Sequence, residues 1–97
     1  PATRTFQALR IAVNNELESL ASLLERGPAR LRVGGRMIVL AYHSLEDRPV
    51  KQRFRELVRE GKFVAVTRKA MRPSDAESAI NPRARSARLR CIQRVVQ

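Results

Sequence analysis

The run Arg36-Met-Ile-Val-Leu-Ala-Tyr42, opened by the paired glycines Gly34-Gly35, constrains the fold more than any other stretch of the chain. An apolar segment of roughly four to eight residues bounded by glycine fits a strand covered on both faces, as in a parallel sheet. Such a strand needs covering layers, and the flanking sequence offers them. Upstream, Phe6, Leu9, Val13, Leu17, Leu20 and Leu24 recur at intervals of three and four, so Pro1 to Arg26 reads as one amphipathic helix. Thr3 or Thr5 would cap its start and Gly27-Pro28 would stop it, while Asn14, Asn15, Glu18, Ser22 and Glu25 make its polar side.

Downstream, the polar segment His43-Ser-Leu-Glu-Asp-Arg48 leads into a second helix with Val50, Phe54, Leu57 and Val58 on one side and Lys51, Arg55 and Arg59 on the others. Its start is open between two caps. Ser44 would leave Pro49 in the second turn, whereas Asp47 would place it in the first, where the missing N–H does no harm. Phe63-Val-Ala-Val-Thr67 reads as a strand. Ser74-Asp-Ala-Glu77 matches a capping box, so a short helix is expected to run to Ile80 before Asn81-Pro82 breaks it. From Ser86, Ala87, Leu89 and Cys91 alternate with Arg88 and Arg90, the pattern of a half-exposed strand whose arginines face solvent or a ligand. The order helix, strand, helix, strand, short helix, strand is an α/β pattern with an antiparallel pair near the C-terminus.

Size and charge narrow the function. With 97 residues there is material for one domain at most, one that buries only roughly 60–65% of its unfolded surface. The single cysteine, Cys91, excludes an internal disulfide and reads as a small buried side chain; with one histidine it cannot build a zinc site. Nothing approaches the ~20 apolar residues of a membrane helix, and no secretory signal is present, so a cytoplasmic chain with no membrane partner is expected. Residues 1–48 carry 7 basic and 5 acidic side chains, residues 49–97 carry 13 and 4, and arginine supplies 17 of the 20 positive charges. A lopsided field of that kind attracts polyanions, and the planar guanidinium fork suits phosphate oxygens.

Three blocks then resemble one family. Pro1 to Asn14 (Pro-Ala-Thr-Arg-Thr-Phe-Gln-Ala-Leu-Arg-Ile-Ala-Val-Asn) resembles the stretch that opens the C-terminal part of the RsmH (MraW) methyltransferases. Tyr-His-Ser-Leu-Glu-Asp-Arg at 42–48, followed by Val50-Lys51, is similar to their Phe-His-Ser-Leu-Glu-Asp-Arg-Ile-Val-Lys, and Asn-Pro-Arg-Ala-Arg-Ser-Ala-Arg-Leu-Arg at 81–90 to their closing block. Pro49 replaces the usual isoleucine, Ala41-Tyr42 the usual Ser-Phe, and the stretch between Gly61 and Pro73 is short. The resemblance implies the C-terminal half of a class I, Rossmann-like methyltransferase sheet: a single partial domain over 1–97, with 36–42 as the fifth strand. It also implies an enzyme that uses S-adenosyl-L-methionine to methylate N4 of a cytosine in 16S ribosomal RNA. The family's glycine-rich cofactor loop would precede Pro1, and Gly34-Gly35 stands before a strand instead of between strand and helix. No cofactor-binding residue is therefore carried over, and no cofactor is expected for this chain alone.

The cytosine N4 lone pair is delocalised into the ring, so the amine must be presented in line to the methyl donor, hydrogen-bonded, with the base out of its stack. In related enzymes the acceptors come from a segment after strand four. This segment is therefore expected to supply scaffold, pocket wall and RNA contacts, to need the N-terminal half of the same protein as partner, and to be inactive alone. Ligands of open α/β sheets bind beyond the carboxyl ends of the strands, which makes His43 and Glu46 candidates for the pocket rim, undecided against a structural role. Capping is the first reading for Ser44 and Asp47. Arg83, Arg85, Arg88 and Arg90 are the candidate contacts to small-subunit ribosomal RNA, against a blander reading in which they pair with Glu16, Glu18, Asp75 or Glu77. The competing functional class is a stand-alone basic RNA-binding module without catalysis.

Overall fold

The computed structural model describes residues 8–12, 17–81 and 85–97. In chain order these form β1 (Ala8–Ala12), α1 (Leu17–Arg30), β2 (Arg36–Ala41), α2 (Ser44–Arg59), β3 (Phe63–Ala65), α3 (Asp75–Ile80) and β4 (Arg88–Arg94). One four-stranded sheet has the order β1-β2-β4-β3. β1 and β2 run parallel, and β4 joins antiparallel both to β2 and to β3. The α/β class and the closing antiparallel pair expected from the sequence are both present.

β2 sits in the middle of the sheet with Met37, Val39 and Ala41 buried and Arg36, Ile38 and Leu40 half-buried. The two-sided cover expected of its apolar run is complete on one face among the described residues. On that face Leu20, Leu24 and Leu31 from α1 and its exit meet Val50, Phe54 and Leu57 of α2, with Met37, Val39, Phe63 and Ile92 from the strands beneath. Burying each of these side chains contributes roughly 1.5–3 kcal/mol of transfer free energy, so this layer dominates the stability of the fold.

The first helix departs from expectation at both ends. It begins at Leu17, and Ala8–Ala12 is a strand in register with Arg36–Leu40, so tertiary pairing overrides the helical spacing of Leu9 and its neighbours. The proposed caps Thr3 and Thr5 lie outside the described residues. At the other end α1 runs through Gly27 and Pro28 to Arg30. Pro28 has no N–H for the carbonyl of Leu24, four residues back. Arg53 of α2 supplies the missing donor, its Nε lying 2.9 Å from Leu24 O. Gly27 lies against Met37: a Cβ there would come within 2.6 Å of Met37 Cε, so a larger residue would require that flexible side-chain end to move. Arg94 Nη1 then donates to Pro28 O at 3.2 Å and satisfies a carbonyl in the last turn.

The short helix α3 follows its sequence signature, with Ser74 as N-cap accepting from Glu77 N at 3.1 Å. In α2 the N-cap is His43, and Pro49 stands inside the helix, so neither Ser44 nor Asp47 caps it. The buried stripe of α2 is Glu46, Val50, Phe54 and Leu57. No helix among the described residues is long and apolar enough to cross a membrane.

Candidate nucleic-acid interface

The carboxyl end of β2 and the amino end of β4 form one rim, because Ala41 pairs with Arg88 in the antiparallel register. His43 follows directly, and α2 departs from it. Glu46, three residues on, is fully buried and turns back on the chain: its Oε1 accepts from Tyr42 N at 3.2 Å and lies 3.3 Å from His43 Nε2. A carboxylate in that place ties the first turn of α2 to the end of β2. His43, with a half-exposed side chain, stands at the surface of the rim.

Asp47 carries a different load. Its two carboxylate oxygens receive Arg90 Nε at 2.7 Å and Nη2 at 2.9 Å, a bidentate pair with both side chains only 16% exposed. Arg90 thus faces the helices and is held by an acid that the sequence placed nearer to a cap. Arg88 lies on the same face of β4, its Nη1 donating to Ala87 O at 2.9 Å. Arg85 is exposed just before the strand, and Arg83 lies outside the described residues. Glu18, Asp75 and Glu77, suggested as partners of these arginines, form no ion pair among the described residues; Glu16 lies outside them. Arg88 stands beside the end of β2, and Arg90 reaches the first turn of α2 through Asp47.

Beyond the rim, a cleft of about 940 Å³ separates α2 from the edge of the sheet. One wall is α2, where Asp47, Lys51, Arg55 and Arg59 succeed one another at four-residue intervals beside the buried stripe. The other wall is an outward excursion of the edge strand. Ala65 pairs with Ile92 and Met71 with Leu89, so six residue steps on the edge oppose three on β4. The surplus is looped out and brings Thr67, Arg68, Lys69 and Ala70 to the cleft, which Arg72 also lines just past the Met71 bridge. Counting Arg88 and Arg90, eight cationic side chains and one carboxylate among the described residues line this space, and that carboxylate, Asp47, is already engaged by Arg90. The sequence reading missed this constellation, since it placed Lys51, Arg55 and Arg59 only on the sides of the helix away from its apolar stripe and gave them no role. The available signal was their four-residue spacing together with the basic cluster at 68–72.

Cys91 is buried behind β4, its N–H donating to Thr67 Oγ1 at 3.0 Å. Burial pushes its thiol above the ordinary value, and the nearby Arg36 charge offsets only part of that rise. It packs as a small apolar side chain. Among the described residues no three His, Cys, Asp or Glu side chains converge on a metal position.

The four glycines do not fit a cradle for S-adenosyl-L-methionine. Gly27 is packed on Met37, Gly34 (φ 88°) and Gly35 form the turn into β2, and Gly61 (φ 94°) ends α2. None stands between the carboxyl end of a strand and the start of a helix, where a nucleotide cofactor meets backbone N–H groups.

A mixed four-stranded sheet closed by an antiparallel pair, with helices α1 and α2 packed on it, is an α/β architecture consistent with a Rossmann-like methyltransferase sheet. Comparison with known proteins narrows this further: residues 1–95 match the model of the MraW methylase family, and the chain belongs to that family. It is 52% identical over 110 residues to the ribosomal RNA small subunit methyltransferase H of Anaeromyxobacter sp. (strain Fw109-5), covering 98% of this chain and 36% of that protein. It is 54% identical over 109 residues to the protein of the same name from Cutibacterium acnes, covering 98% and 32%. It is 51% identical over 96 residues to that of Synechococcus elongatus, covering 99% and 31%. The chain thus spans about a third of the length of these curated relatives.

Proposed function

We propose that this chain is the C-terminal portion of an S-adenosyl-L-methionine-dependent methyltransferase that methylates N4 of a cytosine in 16S ribosomal RNA. The observation that carries the reading is the rim: Arg88 pairs with the last residue of β2, next to the turn where Glu46 and His43 open α2, within a chain that matches the family over 1–95. In this reading the segment supplies scaffold, part of the wall around the extruded base, and contacts to the RNA from Arg83, Arg85, Arg88 and Arg90. Glu46 braces the backbone of the rim, His43 presents a hydrogen-bonding ring at its surface, and Asp47 fixes the guanidinium plane of Arg90. The donors and acceptors that hold cofactor and cytosine amine come from the N-terminal part of the protein, the partner this segment requires.

The test supplies that part. Fusing the N-terminal portion of the Cutibacterium acnes relative to this chain, with methyl-labelled S-adenosyl-L-methionine and small ribosomal subunits, is expected to place label on N4 of a cytosine. Cofactor binding without labelled RNA would end the reading. The cleft favours a second reading, a basic RNA-binding module that no longer catalyses. The two part on autonomy: the module unfolds cooperatively alone, whereas the enzyme segment needs its partner to pack.

A further inference from the structure

We propose that the cleft between α2 and the edge-strand excursion is a track for the phosphate backbone of an RNA strand, held without reading its sequence. The proposal rests on the ribosomal RNA reading and extends it away from the rim, onto side chains that, Lys51 apart, lie outside the three family blocks. Its two walls are cationic. Lys51, Arg55 and Arg59 form one, and Arg68, Lys69 and Arg72 the other.

None of these six side chains makes a hydrogen bond or ion pair among the described residues. Arginines that serve the fold look different here: Arg53 is bonded to Leu24 O, Arg90 to Asp47, and Arg94 to Pro28 O. The six cost the fold mutual repulsion and give it no hydrogen bond or ion pair in return. On α2 a four-residue step is about 6 Å of rise, comparable to the separation of successive phosphates along an extended strand. Charged bulges also protect sheet edges from pairing with other chains. That role needs only outward charge, not a second bank of cations facing the bulge across a cleft.

The lining also says how the strand is held. Among the described residues its only aromatic lining is Phe54, which is 6% exposed and belongs to the core. With no ring on which bases can stack, affinity comes from phosphate neutralisation and is indifferent to sequence. An acidic protein is the other polyanion that could occupy such a cleft. Val58 is the one exposed large apolar side chain among the described lining residues, so the four-residue cationic spacing on one wall favours a regular polyphosphate chain over a folded protein surface, which needs more apolar anchors.

The experiment compares the native protein carrying this segment with its R55Q/R59Q/R68Q and R55K/R59K/R68K variants. Fluorescence anisotropy reports binding of labelled oligouridylate and oligocytidylate across a salt series. Each lost phosphate contact removes about 0.7 from the slope of log affinity against log salt for a single strand, so the glutamine variant should lose about 2, equally for both oligomers. The lysine variant should keep the slope. An unchanged slope in the glutamine variant, a loss confined to one oligomer, or a loss in the lysine variant with an unaltered melting curve would each overturn the proposal. So would polyglutamate displacing the oligonucleotide at equal charge. Methyl transfer by the unsubstituted protein is read separately: its absence counts against the enzyme reading, while the slopes decide the cleft.

Discussion

Glu46 shows how a residue suspected of chemistry can be committed to architecture. Its side chain is buried and its oxygen accepts the N–H of Tyr42. Glu46→Ala leaves that N–H without its acceptor, a loss of about 1–3 kcal/mol, whereas Glu46→Gln keeps an amide oxygen in reach and should cost less. Denaturant unfolding of the native protein separates the two; equal losses would mean that charge and not hydrogen bonding is what the site needs. Cys91 makes a prediction in pH. Its folded thiol titrates above the ordinary value of 9.0, so the folded state retains a proton that the unfolded state releases. The stability it contributes is fully present below pH 9.0 and is lost as pH rises through the folded value. A C91A variant lacks this term, so the stability gap between it and the unsubstituted protein should narrow at alkaline pH.

Among the elements, α1 and α2 are locked by an exchange between a proline and an arginine. Pro28 cannot serve the Leu24 carbonyl, and Arg53 does so from the neighbouring helix. Arg53→Met should therefore destabilise by about 1.5–3 kcal/mol, the range for hydrogen bonds to charged groups. In a P28A background the helix recovers its own donor for that carbonyl, and the same substitution should cost measurably less. A double-mutant cycle that returns no coupling would show the contact to be incidental. This pair also explains what the sequence concealed. Gly27-Pro28 is a sound local stop signal, but the donor that overrides it is 25 positions away along the chain. The onset of α1 was hidden similarly, since Leu9 keeps helical spacing with Leu17 and Leu20 while its backbone pairs with β2. Elements whose signal is local were legible: Ser74 and Glu77 announced α3, and the glycine-bounded apolar run announced β2.

At the scale of the whole molecule, the net charge of +11 is concentrated in the second half of the sequence, and folding gathers part of it around one cleft. The rim was partly legible because His43, Glu46 and the C-terminal arginines fall within contiguous blocks. The cleft was not, because its walls come from α2, the excursion after β3 and β4, which only the order β1-β2-β4-β3 brings together. Self-repulsion of this kind destabilises the compact state, so a cleft kept for binding and one kept for folding respond oppositely to charge reversal. Arg55 lies four residues from both Lys51 and Arg59 on α2. Arg55→Glu converts two like-charge pairs into two attractive ones, each change being worth about 0.5–1 kcal/mol at low salt. If the cleft exists to hold polyphosphate, this variant should melt higher than the unsubstituted protein and bind oligouridylate more weakly. Both effects should fade as salt screens them. If Arg55 serves the fold, stability and binding fall together, so one melting curve beside one anisotropy titration distinguishes the two roles.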